Sequence, residues 1–241
     1  MCSILKLFNI EKTFKTNYGN KEVLKGVDLF LNRGEAIALL GESGSGKSTL
    51  AKIIVGLEEP TRGKVEFKGK SLGSIRRRGF MEAASIQYVF QDPYGSLEEA
   101  ATIVATLSEP IKYCKRHGRD YFSIEEVLEM IGMSRKTYGE RKVHTLSGGQ
   151  RQRVALARAL IPKPEIIIAD EATSMLDEEQ AIEILEILRR IKDELQISII
   201  FITHNINLLS ILCDDFYILD EGKIMDKEKA LKLLNEMKGE K

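Results

Sequence analysis

Cysteine, net charge and long apolar runs are all scarce in this chain of 241 residues. The three cysteines, Cys2, Cys114 and Cys213, form no even set and share no metal-like spacing. That excludes a disulfide framework and a cysteine-built zinc site, and the three read as free thiols of a reducing cytosol. His117, close to Cys114, reads as a solvated loop residue rather than a ligand. Lys+Arg and Asp+Glu each number 36, so the formal charge is zero. This balance argues against a dedicated nucleic-acid binder. The local basic run Arg76-Arg77-Arg78 reads as a solvated loop or helix face. Residues 1–20 contain no long apolar stretch of the signal-peptide kind. The longest apolar runs, such as 197–202 around one serine, are far too short to span a bilayer. Internal repeats and low-complexity linkers are also missing.

What remains is a sequence that is 43% hydrophobic and 30% charged, enough to bury a core and stay soluble. The length suits one large α/β domain, or one with an inserted lobe. Strand-like segments fall at 5–8, 23–31, 36–40, 63–67 and 86–90. Between 92 and 146 the periodicity turns helical, with helices expected at about 97–112 and 124–131. From 147 onward helix and strand alternate: helices at 149–160, 178–194, 206–213 and 227–238, strands at 166–169, 197–202 and 216–219. Residues 220–223 read as a hairpin-like turn. Alternating βα units imply a mainly parallel sheet with helices on both faces. The helical stretch 92–146 is then an inserted lobe within a single domain spanning 1–241.

The most informative string is Gly41-Glu42-Ser43-Gly44-Ser45-Gly46-Lys47-Ser48-Thr49. It has glycine, glycine-lysine and serine at the spacing of a phosphate-binding loop. Glycines let backbone N–H groups close around phosphates without a Cβ in the way. The Lys47 ammonium supplies a positive charge between the β- and γ-phosphates, and the Ser48 hydroxyl is a Mg²⁺ ligand. The context agrees. An apolar run, 36–40, precedes the loop, and a helix of about 47–57 comes after it, with Leu50, Ile53, Ile54 and Leu57 on one face. A loop at a helix N-terminus is also a ready anion site.

A second apolar run, 166–169, ends in Asp170 and Glu171. Ligands of open α/β sheets gather at the carboxyl ends of the strands. Asp170 is therefore expected to face the Mg²⁺ held by Ser48, and Glu171 to polarise an attacking water as general base. His204 ends the next strand and is a candidate γ-phosphate contact. Gln91, after the strand 86–90, is a candidate for the Mg²⁺ or water shell and for a hinge to the helical lobe. Tyr18 is a candidate for stacking on adenine, with Phe14 as the alternative.

Leu146-Ser147-Gly148-Gly149-Gln150 has no catalytic logic inside one chain. It resembles the signature of ABC-transporter ATPases, and the other motifs come in that family's order. The phosphate loop is similar to the family's Walker A. Residues 166–170 with Glu171 resemble Walker B and the catalytic glutamate. Gln91 matches the Q-loop, Ser174-Met175-Leu176-Asp177 the D-loop, His204 the switch histidine, and Tyr18-Gly19 the position of the A-loop aromatic. The resemblance covers essentially the whole chain. It implies a P-loop NTPase of RecA-like, mainly parallel sheet, with an N-terminal antiparallel β subdomain and an inserted helical subdomain. It also implies two chains packed head to tail with ATP and Mg²⁺ between them. The nucleotide would be held by Tyr18 and residues 41–49 of one chain, and by Ser147, Gly148, Gly149, Gln150 and Asp177 of the other. The metal would be held by Ser48, Gln91 and Asp170.

Within that family, 89–97, 108–110 and 149–160 resemble the peptide/nickel importer branch. Glu98-Glu99-Ala100 stands where that branch usually has Asn-Pro-Arg, and Val143-His144-Thr145 where it often has Pro-His-Glu. The sequence stops at Lys241, without the longer cysteine-bearing extension of many oligopeptide members, which leans toward the nickel or metallophore type. The implied partners are a second ABC ATPase subunit, a paralogue or a second copy, two membrane permease subunits and, indirectly, an extracytoplasmic solute-binding protein, with no nucleic acid. The implied place is the cytoplasmic face of the cell membrane. The competing reading is a soluble ABC-type ATPase of an enzyme complex, resembling the phosphonate-lyase assembly.

Overall fold

The computed structural model describes residues 3–17, 19–74 and 76–239. The elements run β1 (Ser3–Thr16), β2 (Gly19–Asn32), β3 (Ala36–Leu40), α1 (Lys47–Val55), β4 (Arg62–Phe67), β5 (Lys70–Leu72), α2 (Phe80–Ser85) and β6 (Ile86–Val89). Next in the chain are helices α3 (Pro93–Ser96), α4 (Ile103–Arg116), α5 (Ile124–Met130), α6 (Arg135–Tyr138) and α7 (Gly148–Leu160). Then come β7 (Ile166–Asp170), α8 (Glu178–Leu195), β8 (Ser198–Ile202), α9 (Leu209–Leu212), β9 (Asp215–Asp220), β10 (Lys223–Ile224) and α10 (Lys227–Gly239). Two compact units divide them: Met1–Gly79 with Ser198–Lys241, and Phe80–Ile197.

In the first unit an antiparallel sheet has the order β2-β1-β4-β5. Its register sets apolar residues against each other: Leu5 faces Leu31 and Phe67, and Leu7 faces Leu29 and Val65. All six are buried, so one face of the sheet is core, as period-two alternation demands. In the same unit β3 lies between β8 and β9 and is parallel to both, with Ala38 opposite Phe201 on one side and Phe216 on the other. Every residue of β3 and β8 is buried. Continuous apolar runs of this kind suit parallel strands covered on both faces. Ala38, Leu40 and Ile218 pack there against Leu209 of α9 and Ala230 and Leu234 of α10.

In the second unit β6 and β7 are parallel, with Ile86 opposite Ile166 and Val89 opposite Ala169. Helix α7 packs against β6, α3, α4, α5 and α8 and carries the buried Val154, Leu156, Ala157 and Leu160. Between β6 and β7 the regular elements are all helical.

Several boundaries differ from the sequence expectation. The helix expected at 97–112 starts at Ile103, because Thr102 caps it by accepting from the Ala105 N–H at 3.1 Å. It runs to Arg116 through Pro110. Helix α1 stops at Val55, where Gly56 adopts φ 85° and donates to the Ile53 carbonyl. Leu57 is therefore off the helix and 52% exposed. The expected helix 206–213 splits into a 3₁₀ turn, Ile206–Leu208, and α9. The short α2, α3, α6 and β5 have too few residues to display a period. Cys114 is buried and Cys213 half-buried, while Cys2 lies outside the described residues. His117 is exposed as expected, and its ring stacks on Phe80 with centroids 4.4 Å apart.

Arg78 is the clearest departure. Read as part of a solvated basic run, it is buried, and its guanidinium donates to the carbonyls of Gly73 (2.7 Å), Ile54 (2.7 Å) and Ile53 (3.4 Å). It closes the C-terminal carbonyls of α1, groups that no further turn of helix can satisfy. Arg76 and Arg77 are exposed. Arg78→Ala is expected to lower unfolding free energy by about 1–3 kcal/mol by taking the side-chain donor from the Ile54 and Gly73 carbonyls. Arg76→Ala and Arg77→Ala should stay within about 0.5 kcal/mol of the parent. Urea denaturation of the three variants checks this.

Candidate functional site

In the first unit the phosphate loop leaves the end of β3 and enters α1. Three of its glycines take positive φ: Gly41 at 146°, Gly44 at 84° and Gly46 at 112°. A Cβ on Gly41 would lie 2.2 Å from the Leu219 carbonyl oxygen and 2.9 Å from Ser45 Oγ. A Cβ on Gly46 would meet Leu24 Cδ2 at 2.8 Å, whereas one on Gly44 would meet nothing within 4 Å. Gly46 is the N-cap of α1 and has no side chain to cap with, which leaves the first turn's N–H groups to the loop. Lys47 is 5% exposed, and its ammonium donates to the carbonyls of Gly41 (2.7 Å) and Glu42 (2.8 Å). Ser45 Oγ is buried without a hydrogen-bond partner. Glu42, Ser43, Gly44 and Ser48 are exposed. The loop is thus a cradle with a cation folded into it and an unsatisfied hydroxyl, the features that suit a polyphosphate.

His204 belongs to the same edge. It is exposed and lies just past β8, whose Ile202 pairs with Leu39 of β3. Both strands therefore deliver their functional residues beyond the same carboxyl ends. Phe14 is half-buried on β1 with the Lys12 ammonium 4.7 Å from its ring centroid. Tyr18 lies outside the described residues.

In the second unit three of the expected residues meet at the end of β7. Asp170 is 6% exposed. One carboxylate oxygen, Oδ2, accepts from the Tyr88 phenol, while Oδ1 is buried without a partner. Burial first, then the hydrogen bond and the charge of Asp170, push the Tyr88 phenol well above its ordinary range, so it stays a donor. Glu171 sits at φ 47°, the left-handed region, at a strain of about 1–2 kcal/mol for a residue with a Cβ. Gln91 Nε2 donates to Glu171 Oε2 at 2.9 Å and to Ser174 Oγ at 3.3 Å. Ser174 in turn donates its N–H and hydroxyl to the Glu171 carbonyl, each at 3.0 Å. The strained backbone is held by that turn.

The signature opens α7 as a capping box. Ser147 Oγ accepts from the Gln150 N–H at 3.3 Å, and Gln150 Oε1 accepts from the Ser147 N–H at 3.2 Å. Gly149 is buried, and a Cβ there would lie 2.4 Å from Gln180 Oε1. Gln180 donates its backbone N–H to Asp177 Oδ1 at 2.8 Å, Asp177 being the N-cap of α8. The Gln180 side chain, which also donates to Asp177 Oδ2 at 2.5 Å, lies against Gly149 of the signature, a placement the sequence did not point to. Tyr88 is the other residue missed: a tyrosine one strand over from an acid is the only signal it offered.

Among the described residues no group of three or more His, Cys, Asp or Glu side chains is placed to hold a metal. The donors fit Mg²⁺ in another way: Asp170 Oδ1 is an orphaned buried carboxylate oxygen, and Mg²⁺ with a nucleotide needs only one or two protein ligands.

A glycine cradle opening a helix, a lysine folded into it and an acid pair at the end of a buried strand define a P-loop nucleoside triphosphatase. The chain belongs to the ABC transporter family, whose sequence pattern matches residues 24–174. It is an ATP-hydrolysing cassette of that family. It is 33% identical over 227 residues to the dipeptide transport ATP-binding protein DppF of Haemophilus influenzae, covering 92% of this chain and 68% of that one. It is 34% identical over 240 residues to the nickel import ATP-binding protein NikE of Brucella suis, covering 96% and 90%. Among solved structures it is similar to cbiO1 of Clostridium perfringens, part of the transporter complex cbiONQ. The TM-score is 0.81 at 29% identity, covering 99% of this chain and 94% of that one. It is also similar to the cassette MJ0796, solved as a dimer bound to ADP and phosphate (TM-score 0.78, 30% identity, 92% and 97% covered).

The two loop glycines make a paired prediction. Gly41→Ala is expected to destabilise by more than about 2 kcal/mol, since strain and a backbone collision add. Gly44→Ala meets open space and should cost only the conformational part, about 1–2 kcal/mol. Denaturant unfolding of both variants checks the difference.

Proposed function

We propose that the chain is the nucleotide-binding subunit of an importer for a peptide, nickel or metallophore-type solute. The single domain would span 1–241, with 92–146 as its helical lobe. Lys47 and the N–H groups of residues 41–49 hold the ATP phosphates. Ser48, Asp170 and Gln91 hold Mg²⁺, which when bound offsets the charge on the phosphate oxygens. Glu171 takes the proton of the attacking water, oriented by the Gln91 amide that already contacts it. His204 contacts the γ-phosphate. Tyr18, or Phe14 in its stead, stacks on adenine. Ser147, Gly148, Gly149, Gln150 and Asp177 act on the nucleotide of a second ATPase subunit packed head to tail, a paralogue or a second copy.

The observation that carries the ATPase chemistry is the acid pair at the end of β7. One acid has a buried, unpartnered oxygen, and its neighbour is strained and hydrogen-bonded to Gln91. The importer reading is supported by similarity to dipeptide and nickel transport subunits. Among the described residues no helix is long and apolar enough to cross a membrane. In this reading the solute crosses through two integral membrane permease subunits, with this chain at the cytoplasmic face of the membrane and an extracytoplasmic binding protein feeding the pair.

Glu171→Gln is expected to keep ATP binding, to lose turnover by about a hundredfold or more, and to accumulate as an ATP-bound dimer. Gel filtration with ATP and a phosphate-release assay check this, and parental turnover would remove Glu171 from the role of base. For the assembly, a tagged pull-down from detergent-solubilised native membranes should recover two polytopic proteins and a related ATPase. Recovery of soluble enzymes alone would replace the importer with an enzyme-complex ATPase.

A further inference from the structure

Strand β6 and the residues just past it contribute a donor to each acid at the end of β7: the Tyr88 phenol to Asp170, and the Gln91 amide to Glu171. The register explains the first contact. Tyr88 lies opposite Ile168 in the parallel pair, and Asp170, two residues on, points to the same face. Two residues of parallel strand rise about 6.6 Å, a distance a tyrosine side chain can bridge and a serine or threonine cannot. The ring is packed edge-on against Phe90, with centroids 4.5 Å apart. A phenylalanine at 88 would fill the same space, so the hydroxyl is there for something other than packing.

We propose that Tyr88 is a positioning residue for the magnesium-facing carboxylate: by donating to Asp170 Oδ2 it sets the carboxylate plane and presents Oδ1 outward. This rests on the reading of Asp170 as the residue that faces the metal. The physical need is specific. An aspartate's second side-chain torsion is broad and roughly two-fold, so an unrestrained carboxylate samples many planes. A hydroxyl bonded to a carboxylate oxygen is among the stronger hydrogen bonds and removes that freedom. Without it both oxygens of a 6% exposed carboxylate are orphaned, and the group must turn toward whatever donor it finds. Tyr88 touches neither substrate nor metal in this account. It acts through Asp170 alone.

The test is Tyr88→Phe, read by binding of a fluorescently labelled ATP, once in excess EDTA and once as Mg²⁺ is titrated in. Affinity in EDTA is expected to stay within about twofold of the parent, which also reports an intact loop and fold. The Mg²⁺ concentration giving half of the metal-dependent gain is expected to rise about tenfold, the scale of one hydrogen bond to a charged group. In an Asp170→Asn background, Tyr88→Phe should change that midpoint no further. An unchanged midpoint overturns the proposal. So does an equal loss of affinity with and without metal, which would mark Tyr88 as packing only. If Asp170→Asn alone keeps the parental Mg²⁺ dependence, the reading of Asp170 fails instead, whatever Tyr88 does.

Discussion

Parallel strands buried on both faces have little room for polar side chains within their runs, and this constraint organises the protein. In β3 and β8 every residue is buried, and so is every residue of β7 up to and including its last, Asp170. Chemistry is therefore displaced to the strands' carboxyl ends and the loops beyond them. After β3 comes the phosphate loop, after β8 His204, and at the end of β7 the acid pair.

Those groups are held under local strain or left short of partners. Glu171 has a positive φ, secured by Ser174. Gly41 takes a backbone conformation in which any Cβ would strike the Leu219 carbonyl. Ser45 Oγ and Asp170 Oδ1 are buried with no hydrogen-bond partner. An unsatisfied buried hydroxyl costs about 1–3 kcal/mol, and a carboxylate oxygen more. Such penalties are retained where a ligand relieves them, and a polyphosphate with its cation has the acceptors and charge to do so. In each unit the unsatisfied atom lies at a strand's carboxyl end or in the loop next to one.

How much of this was legible depended on whether a residue's role is local. The phosphate loop, the run 36–40 and the acids after 166–169 were readable because backbone freedom, strand burial and strand-end position are dictated by neighbours in sequence. The signature's position at a helix start was likewise readable from Ser147, Gly148, Gly149 and Gln150, which form a local capping box. Arg78 was not readable, since a basic triplet gives no sign of which arginine turns inward to the carbonyls of Ile53 and Ile54. The start of α4 was misplaced because the apolar Leu97 is buried from a loop, not from a helix.

Sequence alone determined the class of chemistry, because a phosphate loop requires glycine, lysine and serine at fixed spacing, and fixed spacing is a one-dimensional property. Tertiary structure decided the partners of those residues. Strand register, set by core packing over the length of β6 and β7, put Tyr88 on Asp170 and Gln91 on Glu171. Helix packing put Gln180 against Gly149. Contacts between residues some 30 to 80 positions apart depend on register and packing angle, and no local pattern of residues encodes either.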